Sequence, residues 1–193
     1  MASLAELRDR LRRRPGMGDL TDAEADDLIA EAADTVRDYC GWQVWPRETV
    51  TVVVDTVGGP VAGLPSLMLH EVTAVETRPH GDQDPAAWTA VTGRWDWSEG
   101  GWLYRCGAWP DGPRRLRATM DSGYTDPPGA VGSVLLALAA RTRTSPVGVS
   151  AEAAGGESIS YSTSGGSEDS GGGGMLTGAE RRVLDRYRLE NRP

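Results

Sequence analysis

The 193-residue sequence predicts an α+β fold: a small helical bundle core interrupted by a Trp-rich antiparallel β insertion, with a long flexible loop before a C-terminal helix. Three observations carry that expectation. Apolar residues recur at three and four positions over 21–41 and again over 127–144, the period of a helix with a buried face. Between them, runs rich in Val, Thr and Trp are punctuated by Gly and Pro, the pattern of short antiparallel strands. Residues 150–174 are dominated by Gly and Ser and bury too little apolar surface to order themselves.

Each element has a local cause. Residues 1–20 read as a basic N-terminal arm, in which MASLAELRDRLRRRPG forms a short helix and lacks the apolar core of a signal peptide. The helical core opens over 21–47. Thr21 and Glu24 make a capping box that satisfies two orphan amides. Ala25, Leu28, Ile29, Ala32, Val36, Tyr39 and Cys40 form the apolar stripe, Asp26, Asp27, Glu31, Asp34 and Asp38 the opposite face, and Gly41 the stop. The β insertion spans 48–124, with strands expected at 48–55, 66–78, 87–91, 94–98, 102–105 and 114–124. The core resumes over 125–145. Asp126 and Pro127 start a helix whose circumference is largely apolar, with Val131, Val134, Leu135, Leu138 and Ala139 facing one way. The Gly/Ser-rich loop covers 146–176, and its segment ESISYS alternates like half a hairpin. A second capping box, Thr177 with Glu180, opens the C-terminal helix in 177–193.

Composition excludes much chemistry. All 20 basic residues are Arg, so no P-loop, kinase or Schiff-base lysine exists. Two His and two Cys would all be consumed by one four-ligand zinc site. His70-Glu71 lacks the second His of a metalloprotease helix, the glycine run lacks a phosphate-cradling lysine, and no GxSxG elbow appears. Acid pairs such as Asp26 with Asp27, or Asp96 near Glu99, could serve as the general acid and base of a glycosidase only if held at a fixed separation in a cleft, and the helical acids read as a solvated face. Catalytic, metal and cofactor sites are therefore assigned to no residue. Cys40 and Cys106 match no metal spacing and read as reduced, buried thiols. No apolar run approaches the ~18 residues of a membrane helix.

The net charge of −8 is unevenly spread. Residues 1–15 hold five Arg against Glu6 and Asp9, and residues 179–193 hold five Arg against Glu180, Asp185 and Glu190. The middle carries ten Arg against 23 acids, an acidic body that repels nucleic acid. Phe is absent, so the seven Trp and the Tyr residues must supply the aromatic bulk of the core. A sugar-stacking platform is the functional alternative for Trp88, Trp95, Trp97, Trp102 and Trp109.

Taken in order, several segments resemble one family. AADTVRDYCGWQVWP at 32–46, LPSLMLHEVTAV at 64–75, GWLYRCGAWPDGPRRLRATMDSGY at 101–124, VLLALAARTRTSPVGV at 134–149 and LTGAERRVLDRYR at 176–188 are similar to tailed-bacteriophage head-to-tail adaptor (connector) proteins. The likeness covers about residues 20–190, and its motifs are packing motifs without a catalytic residue. It implies a virion structural protein of the neck, assembled in the host cytoplasm, that forms a dodecameric ring under the portal and extends the DNA channel. DNA would pass without specific binding, and a stopper or tail-completion protein would attach to the far face. Mapped onto this chain, Arg181, Arg182, Leu184, Tyr187 and Arg188 form the portal-facing set. Residues 150–174, with Ile159 and Tyr161 as apolar anchors, face the lumen or a neighbouring subunit. Minimal members of the family are mostly helical, so the Trp-rich insertion and the basic segment 1–15 are departures. Another neck protein (stopper or tail terminator) is the nearest alternative, and a Trp-lined carbohydrate-binding module the distant one.

Overall fold

A computed structural model of the chain describes residues 3–79, 84, 87–144, 151–154, 157–160 and 176–189. It has an α+β fold. The chain divides into two compact units, Met1–Tyr39 with Asp126–Arg186, and Cys40–Thr125 with Tyr187–Pro193. Among the described residues no helix is long and apolar enough to cross a membrane.

The first unit is helical. Helix α1 (Leu4–Arg12) begins at a capping box of Ser3 and Glu6, and buries Leu7 and Leu11 completely. Helix α2 (Asp22–Cys40) starts as its sequence dictates: Glu24 accepts from the Thr21 amide at 2.8 Å, and Thr21 Oγ1 accepts from the Glu24 amide at 3.3 Å. The two helices are tied by Arg8, which forks onto Asp26, and by Arg12, which pairs with Asp22 and donates to Leu20 O at 3.0 Å. Segment 1–20 is therefore not an arm. Leu7, Leu11 and Met17 are fully buried and belong to the core of this unit. Helix α3 (Gly129–Thr144) starts two residues later than Pro127 suggests and buries Val131, Val134, Leu135, Leu136, Leu138 and Ala139. A Cβ on Gly132 would lie 3.6 Å from Leu7 Cδ2, so α1 rests against α3 at this point. A hairpin, β8 (Ala151–Ala154) and β9 (Glu157–Ser160), falls in the Gly/Ser-rich stretch. Most of that expected loop lies outside the described residues.

The second unit is built from two antiparallel sheets over one core. The larger has the order β1 (Glu48–Val57), β7 (Asp111–Ser122), β3 (Leu69–Thr77), β4 (Thr89–Ala90). The smaller has the order β2 (Val61–Gly63), β6 (Trp102–Arg105), β5 (Trp95–Trp97). Ala62, Leu64 and Leu103 meet Val72, Val75, Leu116, Ala118 and Met120 around the fully enclosed Trp109, with Trp95 and Trp97 packed against the cluster. Strand β2 escapes sequence reading because three residues, one of them Gly63, are too few to carry a period.

Strand β7 lies at the centre, and its alternation explains the sheet. Leu116, Ala118 and Met120 point to the core. Arg117, Thr119 and Asp121 on the other face are each bonded to a neighbouring strand or its flank. Arg117 forks onto Glu76 at 2.6 and 2.7 Å, Thr119 bonds Thr51 at 3.0 Å, and Asp121 takes Arg47 Nε at 2.8 Å. These guanidiniums hold the Glu76 and Asp121 carboxyls below the usual carboxylate range. Strand β1 is an edge: β7 is its only ladder partner among the described residues.

Candidate functional site

The C-terminal segment is placed first by its own cap. In α4 (Gly178–Leu184) Thr177 and Glu180 complete the expected box, and Glu180 also receives both contacts of Arg141 Nη2, at 2.7 and 2.9 Å. Leu184 is fully buried within the first unit. A 3-10 turn, Asp185–Tyr187, follows. Tyr39 donates to Asp185 Oδ1 at 2.6 Å.

In the second unit the indole of Trp42 donates to Tyr187 O at 2.5 Å, and the Leu189 amide donates to Cys40 O at 2.8 Å. A ring contact closes this corner, with Tyr187 edge-on to Tyr124 at 6.4 Å and 84°. Tyr124 in turn lies 6.2 Å from Trp42. Burial among these rings pushes the Tyr124 hydroxyl above its ordinary pKa.

This placement sorts the expected portal-facing set. Leu184 is interior and Tyr187 is half-buried, so neither offers an open apolar stripe. Arg181 is half-buried, while Arg182 and Arg188 are exposed. Ile159 falls on β9 opposite Glu152, and Tyr161 lies outside the described residues.

The aromatic residues serve packing more than display. Trp42, Trp45 and Trp109 are buried, and Trp95 and Trp97 pack on the core. Two guanidiniums lie over the ring of Trp88, Arg78 at 4.8 Å and Arg117 at 4.7 Å from its centre. Around it, Arg78 Nε donates to Arg114 O at 2.9 Å, and Arg115, only 3% exposed, donates through Nη1 to Pro79 O. Arg114 has φ 54, the one positive value on a residue other than glycine among the described residues, and Asp55 Oδ1 accepts its amide at 2.7 Å. Sequence reading missed this cluster. Its visible signal is three Arg within residues 114–117 of an acidic body.

Among the described residues no group of His, Cys, Asp and Glu could hold a metal ion. His70 Nε2 lies 2.9 Å from Gly123 O, and His80 lies outside the described residues. An open concavity of about 450 Å³ is lined by Gly93, Arg94, Trp95, Tyr104, Arg105 and Cys106, with Asp96 the only carboxylate in its wall. Cys40 and Cys106 form no disulfide. Only Cys40 is buried; Cys106 is exposed, contrary to the expectation of two buried thiols. A maleimide is therefore expected to label Cys106 in the native protein and to reach Cys40 only on unfolding. Equal native labelling rates, read by mass spectrometry, would contradict that burial.

The fold has relatives among solved particles. A chain from the "Neck of empty GTA particle computed with C6 symmetry" superposes with a TM-score of 0.61 at 17% identity, covering 98% of this chain and 92% of that one. This chain has the fold of a gene transfer agent neck protein. A chain of the "Virion of native gene transfer agent (GTA) particle" gives 0.60 at 18% identity, and one of the "Neck of native GTA particle computed with C12 symmetry" gives 0.57 at 16%, with the same coverage. No protein-family model and no curated protein matches the sequence.

Proposed function

We propose that this chain is a virion structural protein of the head-to-tail neck, and within the neck the adaptor. It forms a homo-oligomeric ring, dodecameric by the portal's symmetry, beneath the portal, extends the DNA channel and presents a surface to the stopper or tail-completion protein. The observation that carries this reading is the fold shared with a gene transfer agent neck chain over 98% of this chain and 92% of that one. The neck particles themselves were computed with C6 and C12 symmetry, orders compatible with a ring of twelve. The acidic balance of the chain suits a channel wall that lets DNA slide, because affinity for phosphate comes from neutralising cations.

The portal contact is assigned to the exposed guanidiniums Arg182, Arg186 and Arg188 around α4, now without Leu184. The segment with Ile159 and Tyr161 remains assigned to the lumen or a neighbouring subunit. Electron microscopy of the particle tests the reading: density for this chain is expected as a ring directly below the portal. Density at the distal end of the neck would make it the stopper or tail terminator, and its absence from the neck would end the proposal. Sugar binding by the isolated chain would favour the carbohydrate-binding reading instead; it is not expected, since Trp42, Trp45 and Trp109 are buried and Trp95 and Trp97 pack on the core.

A further inference from the structure

Helix α1 carries two sets of arginines with different partners. Arg8 and Arg12 turn to α2, where Asp26 and Asp22 meet their charge. Arg10 stands two residues from each, about 200° round the helix, and so points away from α2. Arg13 and Arg14 follow Arg10 by three and four residues, the spacing of neighbours on a helical surface. The turn continues through them, since Arg13 keeps right-handed helical dihedrals and the Arg14 amide donates to Leu11 O at 2.9 Å. The Arg14 guanidinium is pushed below its ordinary pKa, by burial first and by the charge of Arg10 second, so these two cations lie close together. Arg13 is exposed, and Arg10 and Arg14 are half-buried, which leaves all three with accessible surface. Among the described residues none of the three has a carboxylate partner, whereas Arg8, Arg12, Arg37, Arg141 and Arg143 of the same unit each have one.

The same unit carries the complement. On α2 the exposed acids Asp27, Glu31, Asp34 and Asp38 are spaced by four, three and four residues, which sets them on one helical face. Asp34 bonds Arg37 on the same helix, and the other three meet no cation among the described residues. The opposite side of α2 buries Ala25, Ile29, Ala32 and Val36, so the acidic face stays outward. The pairs Arg8–Asp26 and Arg12–Asp22 set α1 antiparallel to the start of α2, which puts the arginine corner at the Asp22 end. Glu31 and Asp38 stand roughly 14 and 24 Å further along α2 at the rise of a helix. Corner and face cannot meet within one copy.

We propose that the arginine corner of α1, formed by Arg10, Arg13 and Arg14, binds the acidic face of α2 on a second copy of this chain. The inference rests on the ring reading above and names the contact that joins one subunit to the next. Corner and face are different patches, so each copy uses its corner on one neighbour and its face on the other. Such a heterologous contact repeats head to tail and closes into a ring when its rotation permits. A single exposed ion pair adds little. Three guanidiniums against three free carboxylates relieve like-charge repulsion in both patches at once and fix the orientation of docking. Nucleic-acid phosphate is the competing anion for such a corner, and a chain of net charge −8 repels it overall.

A reciprocal charge swap tests the contact in assembled particles. The corner variant, Arg10→Glu with Arg13→Glu, opposes a native acidic face with like charge, and the face variant, Glu31→Arg with Asp38→Arg, does so for a native corner. Each variant alone is expected to enter the neck at least threefold less than wild type, measured by quantitative immunoblot of purified particles. Produced together, the two can alternate around a ring with every contact attractive, and neck occupancy is expected to return to within twofold of wild type. Melting curves of each purified variant check the fold. Should a reversed variant melt early, the neutral variant Arg10→Gln with Arg13→Gln takes its place, with occupancy expected to fall about twofold.

Normal occupancy of a folded corner or face variant, or of the neutral one, overturns the inference and leaves the ring reading standing. So does failure of the mixture to restore occupancy. Loss with the corner variant that the face variant never restores assigns the corner to nucleic-acid phosphate instead. If wild-type chain is itself missing from purified necks, the adaptor reading fails independently of the swap.

Discussion

Leu184→Asp is expected to unfold the helical unit rather than merely detach a docking element. Leu184 is fully buried at the end of α4, whose start is held by the Thr177 box, the Arg141–Glu180 pair and the buried Leu176. Truncating such a leucine to alanine removes about 2–5 kcal/mol. An aspartate there adds an unpaired buried charge, among the few changes that exceed this range. Leu184→Ala should lower the midpoint of the helical transition by about 10 °C or more, and Leu184→Asp should abolish that transition. Far-UV circular dichroism is the appropriate probe, because all seven Trp lie in the second unit. Arg182→Ala and Arg186→Ala, both at exposed positions, should leave the midpoint unchanged. A normal midpoint for Leu184→Ala would return this residue to the surface and to the portal contact.

Gly101→Ala is expected to be the most damaging small substitution in the β unit. The residue has φ +78, and a Cβ there would lie 2.2 Å from Ser66 O and 2.9 Å from Leu64 O. Both atoms are backbone, and Leu64 donates to Gly101 O at 2.7 Å, so neither side can withdraw without breaking the end of the β2–β6 ladder. Left-handed strain of about 1–2 kcal/mol joins an overpacking cost of about 1–3 kcal/mol. The sum is a large share of a small unit's stability. Denaturant unfolding followed by Trp fluorescence should show the loss. Gly59→Ala, where nothing lies within 4 Å, should leave that curve nearly unmoved.

Local signals were readable in the sequence, and partnerships across the chain were not. The capping boxes at Thr21 and Thr177 name their helix starts because donor and acceptor lie three residues apart. The alternation of Leu116, Ala118 and Met120 likewise announces a strand with one buried face. Leu184 could not be read the same way. A stripe on a short helix says that something covers it, and only the fold says that the cover is the chain's own core. Segment 1–20 misled for a related reason: five Arg outweighed Leu7, Leu11 and Met17, whose burial depends on distant helices. The arginine cluster is the extreme case. Arg78 and Trp88 reach Arg114, Arg115 and Arg117 only through the β3–β7 register, in which Glu76 faces Arg117 and Thr77 faces Leu116.

The unpaired flank of strand β1 has a consequence for the protein before it is assembled. Between Glu48 and Asp55 the sequence TVTVVV carries no charge, and Thr49, Thr51 and Val53 are exposed. Six uncharged residues of high strand propensity on an open edge are a template on which further chains can stack into aggregates. The charged residues at either end and the register shift beside Asp55 act as gatekeepers that limit how far such stacking can run. Newly made chains therefore face a race between covering that edge and amorphous precipitation, and the outcome depends on how many accumulate at once.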